Sequence, residues 1–128
     1  PGAAAGQLAA LRARLDAMID RHRPGAMAIE RVFFNRNVRT AIRTVQASGV
    51  ATCLAAERGL PVYEYGPLEV KRAVVGVGDA SKNQVAFMVK RIVGLPADVD
   101  EPDAADALAL AIACLHGRPW VQMGQLAR

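Results

Sequence analysis

The sequence has little that would serve a disulfide scaffold, a zinc module or a membrane protein. Cysteine occurs twice in 128 residues, at Cys53 and Cys114. No Cys-x-x-Cys pair or Cys/His cluster is present to hold zinc. Both cysteines sit inside apolar helical patterns and read as reduced, buried thiols of a cytosolic protein. No apolar run approaches the roughly 20 residues that cross a bilayer. The opening "PGAAAGQLAA" lacks a basic segment followed by a strong hydrophobic stretch, so no secretory signal is expected and the location is read as cytoplasmic, without membrane. "GVGDASK" (76–82) is rich in glycine but lacks the GxxxxGK[ST] spacing that cradles a nucleotide triphosphate. An initiator Met is also absent, and the chain is read as a fragment or a processed product.

What remains is the composition of a globular domain. Hydrophobic residues make up 52% and charged residues 22%, a balance that excludes disorder. The length suits one domain with a real core, expected over 1–117 with a poorly tied tail at 118–128. Lysine and arginine outnumber acids 16 to 12, a net charge of +4. That charge is compatible with a nucleic-acid partner without being diagnostic of one.

Apolar periodicity organises the chain. Leu8, Leu11, Leu15, Met18 and Ile19 recur at three- and four-residue steps, predicting a helix over about 4–22 that Pro24 and Gly25 end. "AMAIE" (26–30) reads as a short buried strand. Val38, Ala41, Ile42, Val45, Val50 and Leu54 mark a long helix closed by Gly59. "LPVYEY" (60–65) is a second strand, and Pro67 opens a short helix that Gly76 ends. Asp79 or Ser81 then caps a helix with the stripe Val85, Met88, Val89 and Ile92, closed by Gly94. A last helix over about 103–116 buries Leu108, Ile112 and Leu115. Strands alternating with helices predict an α/β protein around a parallel pair. Two strands make a small sheet for five helices, and the pattern suggests that earlier strands are missing.

The acids carry the chemistry. Glu30 falls at the carboxyl end of the first strand, where open α/β sheets build their sites. It is as readily a surface glutamate just past the strand. Asp103 and Asp106 are three apart and share a helix face. Taken alone they are better explained as a cap and a charge favourably placed on the helix dipole. Brought together, three carboxylates would repel unless a divalent cation held them, and oxygen donors select Mg or Mn. Such clusters serve phosphoryl transfer. Arg36, Arg39 and Arg43 share one face of the long helix, Lys71 and Arg72 lie in the short helix, and Lys82 opens the next. This set suits phosphates, although a solvated face is the default for each member. Phe33 and Phe34 follow Glu30 in a loop, where an aromatic either wedges bases or anchors a core.

Four stretches in order, "AIERVFFNRN" (28–37), "QASGVA" (46–51), "EYGPLEVKRAVVGVGDASKNQVAFMV" (64–89) and "DAADALALAIA" (103–113), resemble the RuvC-type Holliday junction resolvases of the RNase H-like superfamily. The resemblance runs nearly to His116. It implies an RNase H-like fold with helices on both faces of a central sheet. It also implies a homodimeric, Mg-dependent endonuclease that nicks two strands of a four-way DNA junction in recombination and repair, alongside a branch-migration motor complex. By the same resemblance, Glu30, Asp103 and Asp106 are metal-binding catalytic acids, and Mn substitutes for Mg. Phe33 contacts bases, Lys71 and Lys82 are functional lysines, and Lys82 stabilises charge at the phosphate. The helix from Val38 helps form the dimer. The family's opening "DPG" strand, with a fourth acid, has no counterpart here, and the chain is expected to be truncated. Without that acid the alternative is a module that binds junctions and does not cut them. Cys114 stands where many members have histidine, so no role for that histidine carries over.

Overall fold

The computed structural model describes residues 2–31, 37–97 and 99–116. Its elements are α1 (Gly2–His22), β1 (Met27–Glu30), α2 (Val38–Glu57), β2 (Val62–Tyr65), α3 (Pro67–Val74), α4 (Lys82–Val93) and α5 (Pro102–His116). All seven fall where the periodicity puts them. The chain divides into two compact units. The first holds α1 and α2, and the second holds 28–31 with the chain from Tyr63 through α5.

In the first unit α1 packs against α2. Leu8, Leu11 and Leu15 are half-buried and Ile19 is buried, a face stepping by three and four residues. Met18 is 55% exposed instead of buried, because it lies about 100° of helix turn from Ile19. Charges join the two helices: Arg12 pairs with Glu57, and Arg58 pairs with Asp16 at 2.8 Å and with Asp20. Arg58 holds the Asp20 carboxyl below its usual range, first by hydrogen bonding and then by charge.

The Asn37 side chain starts α2 by accepting the Thr40 N–H at 3.2 Å. Gly59, at φ +73°, allows the chain to leave the helix in a left-handed turn. Two expectations for α2 need correction. Val38, Ile42 and Val45 are exposed, while Ala41 and Leu54 are buried. Periodicity identifies a face suited to burial but does not supply its cover. Cys53 is also exposed, one position from buried Leu54, and its thiol donates to Glu57 Oε1 at 3.3 Å. That hydrogen bond and the carboxylate's charge push the thiol pKa up. Cys114 is buried as expected.

In the second unit, residues 28–30 of β1 run beside 63–65 of β2. The bonds Met27 N–H to Pro61 O at 2.9 Å and Arg31 N–H to Tyr65 O at 2.7 Å advance in the same direction on both strands. The pair is therefore parallel. Helices α3, α4 and α5 pack on one another around Val74, Val89, Ala109 and Ile112, with Val70, Val85, Met88 and Leu108 partly buried against them. Small side chains on α5, Ala109 and Ala113, let its neighbours approach closely. Leu115 is 77% exposed, contrary to expectation. The buried arc of α5 centres on Ala109, Ile112 and Ala113, and Leu115 lies about 120° of turn from Ala109. Ile92 at the end of α4 is also partly exposed.

Ser81, not Asp79, caps α4. Its hydroxyl accepts the Gln84 N–H at 3.1 Å, and Gln84 Oε1 accepts the Ser81 N–H at 2.7 Å. Gly94, at φ +78°, closes the helix. Helix α5 begins at Pro102, and Ala105 N–H bonds to Glu101 O at 3.0 Å. Asp103 is therefore inside the first turn and is not its cap. Replacing Ser81 with Ala should cost about 1 kcal/mol. Replacing Val89, 1% exposed, with Ala should cost on the order of 2 kcal/mol. Urea denaturation checks both, and equal losses would contradict this ordering.

Candidate active site

Four backbone elements of the second unit deliver the charged groups. Glu30 is the last residue of β1. Lys71 is on α3, Lys82 is the first residue of α4, and Asp106 is in the second turn of α5. All four line one cleft of about 400 Å³. Pro67, Val70, Val85, Ala86, Ala109 and Leu110 give much of its wall an apolar lining, and Asn83 and Asp100 add polar groups.

The position of Glu30 has an electrostatic cost. Its carboxyl is held above the ordinary glutamate range, mainly by loss of hydration. The charge of Asp106 raises it further, and Lys82 lowers it. The residue as a whole is exposed, so the loss of hydration belongs to the carboxyl end that lines the cleft. Two acids and a lysine thus interact within one partly dry space.

Asp103 is exposed and is not part of the cleft lining. Among the described residues, no three His, Cys, Asp or Glu side chains gather in a group that could hold a metal ion. The carboxylates of Glu30 and Asp106, with Asp100 and the Asn83 amide also in the lining, give the cleft hard oxygen donors that fit a divalent cation of the Mg or Mn type. Phe33 and Arg36 lie outside the described residues. Arg39 and Arg43 are exposed on α2 in the first unit, one helical turn apart. Asn83 and Asp100 were missed from sequence. Asn83 adjoins Lys82 at a helix start, a usable signal, whereas Asp100 sits in the polar run "ADVDEP" with nothing to single it out.

A strand-end acid facing a helix-borne aspartate, with lysines beside them in an α/β unit, is the layout of the RNase H-like class. Comparison with known proteins narrows this class. The family model described as "Crossover junction endodeoxyribonuclease RuvC" matches residues 2–114. A protein of that name from Pelotomaculum thermopropionicum is 51% identical over 114 residues, covering 89% of this chain and 70% of its own. One from Frankia alni is 54% identical over 116 residues, covering 90% and 58%. The solved Thermus thermophilus RuvC structure matches with a TM-score of 0.82 at 39% identity, covering 88% of this chain and 68% of that one. The T. thermophilus RuvC in complex with Holliday junction substrate matches with the same TM-score, 0.82. The chain belongs to the RuvC family of crossover junction endodeoxyribonucleases, and it spans 58% to 70% of the length of these two curated relatives. A nuclease of this family implies a divalent metal.

Asp106→Asn should bring the Glu30 carboxyl pKa down toward its ordinary value, and Lys82→Met should raise it further. NMR titration of the side-chain carboxyl carbon reads both, and identical Glu30 titrations in the two variants would contradict the assigned causes. Stability follows the same sign. The folded state holds the Glu30 proton more tightly than the unfolded chain does. This contribution is therefore fullest below the ordinary value of 4.5 and is lost as pH rises through the raised one. Glu30→Gln should remove that part of the decline, seen as a urea midpoint that falls less than wild type above this window.

Proposed function

We propose that the chain is the catalytic part of a structure-selective DNA endonuclease that resolves four-way junctions by paired symmetric nicks, in recombination and repair. The observation that carries this reading is the cleft in which Glu30 and Asp106 meet Lys82 and Lys71. Membership of the family, and a matching relative solved in complex with Holliday junction substrate, support the choice of DNA junction as substrate. Residues 1–117 act as one nuclease domain in this reading.

Glu30 and Asp106, with Asp103 one turn earlier on the same helix, would hold Mg2+, and Mn2+ would substitute. Such a cation, when bound, activates water and neutralises charge at the phosphate. The remaining work belongs to side chains. Lys82, already acting on Glu30, supplies positive charge where a phosphate would lie, and Lys71 supplies a second ammonium. Arg39 and Arg43 would hold the DNA backbone, together with Arg36 and with Phe33 against the bases. The exposed Val38, Ile42 and Val45 edge of α2 supports a homodimer, which two symmetric nicks require. The branch-migration motor complex enters as a partner by family resemblance. Among the described residues no helix is long and apolar enough to cross a membrane, and a chromosomal DNA substrate would place the protein in the cytoplasm.

The test uses a synthetic four-way junction with Mg2+. Because the relatives are longer, the chain is assayed alone and fused to the remaining length of the T. thermophilus relative. Paired nicks at symmetric positions are expected from the fusion, and Asp106→Asn should abolish them while junction binding persists. Binding without nicks from either protein would sink the enzyme reading. Loss of circular dichroism in the Asp106→Asn variant would instead make that aspartate a structural part of the helix start.

A further inference from the structure

The strand that carries Glu30 is four residues long, and among the described residues it has one neighbour. Ends of short strands open easily, yet the placement of Glu30 opposite Asp106 depends on that end. The next residue closes it. The Arg31 N–H donates to Tyr65 O at 2.7 Å, extending the ladder one step beyond the strand. The Arg31 side chain then reaches two acids on different elements: its Nε donates to Glu64 Oε1 on β2 at 3.0 Å, and its Nη1 donates to Glu69 Oε1 on α3 at 3.3 Å.

Glu69 is a junction in its own right. The same oxygen accepts the Gly66 N–H at 3.2 Å, which satisfies a free donor at the start of α3. One carboxylate oxygen therefore joins the end of β1 to the first turn of α3, the helix whose next residues, Val70 and Lys71, line the cleft. Gly66 leaves room for this contact. A Cβ there would stand 3.1 Å from Arg31 Nη1 and 3.5 Å from Glu69 Oε1.

Stability does not account for the arrangement. The Arg31, Glu64 and Glu69 side chains are 46%, 33% and 42% exposed, and ion pairs so open to water contribute little. A guanidinium contributes geometry instead: a planar fork with donors at fixed angles, able to hold two carboxylates at once. We propose that Arg31 is a positioning residue, and that its bracket to Glu64 and Glu69 fixes the Glu30 carboxylate relative to Lys71 and Asp106 across the cleft. This rests on reading Glu30 as a catalytic acid.

Arg31→Ala, Arg31→Lys and Gly66→Ala test it in the junction assay and by amide hydrogen exchange. The nicking rate at saturating junction should fall about tenfold to a hundredfold in Arg31→Ala, the scale of a small misplacement of a reacting group. Junction affinity and the urea midpoint should hardly move. Arg31→Lys should not restore the rate, because one ammonium cannot reproduce the fork. Gly66→Ala should lose rate in the same direction. An unchanged rate in Arg31→Ala, full rescue by lysine, or a rate loss that only tracks loss of stability would overturn the proposal. Exchange of the Arg31 and Gly66 amides needs no activity. It should accelerate in Arg31→Ala while core amides such as that of Val89 stay protected. These rates are read in the fusion; if the fusion carrying the wild-type chain never nicks a junction, the functional reading fails, and the exchange result alone decides the bracket: unchanged exchange at Arg31 and Gly66 refutes it.

Discussion

Glu30 and Asp106 share a partly dry cleft against their own electrostatics. The raised pKa of Glu30 records both its lost water and the neighbouring charge of Asp106. Such a pair exists only if the backbone enforces it. The second unit does so with three helices fixed to one another through Val74, Val89, Ala109 and Ile112. That core contains no charge, and burial of apolar surface supplies the free energy that holds the acids in place. Lys82 then offsets part of the repulsion.

The same logic explains why the helix starts are so carefully finished. Lys82 occupies a defined place because Ser81 and Gln84 satisfy each other's backbone donors at the first turn of α4. Asp106 is placed by α5, whose alanines seat it close to α3 and α4. Next to the strand end that carries Glu30, Tyr65 is almost fully buried. Its hydroxyl is pushed to a higher pKa by that burial first and by Cys114 next, so the phenol stays neutral where a charge would not be tolerated. Charged groups are thus confined to the cleft and the outer surface, and no buried polar or charged residue occurs among the described residues.

Much of this was legible in the sequence because it depended on local rules. Three- and four-residue spacing, Pro67 at a helix start and Gly59 and Gly94 at helix ends located every element. The failures have a common cause. Val38, Ile42 and Val45 repeat at the right steps, yet burial requires a covering partner, which spacing does not report. Met18 and Leu115 are apolar and close to the right register, yet about 100° of turn separates a core position from an exposed neighbour. Cys53 looked buried from its neighbours' character, while its own side chain turns to Glu57.

The acids show where the limit of such reading falls. Asp103 and Asp106 have the same side chain, the same helix and the same face, and spacing gives no reason to prefer one. Helix α5 begins at Pro102, so Asp103 belongs to its exposed opening turn, and Asp106, one turn deeper, reaches the cleft. Glu30 was equally open from its pattern, and the fold places it in the cleft lining with Asp106 and Lys82. In both cases tertiary packing decides where the carboxylate lies, which residue type and local pattern leave open. Spacing can put a carboxylate on the right face, but only the packing of other elements puts a second charge beside it, and at Glu30 the cost of that packing is a raised proton affinity.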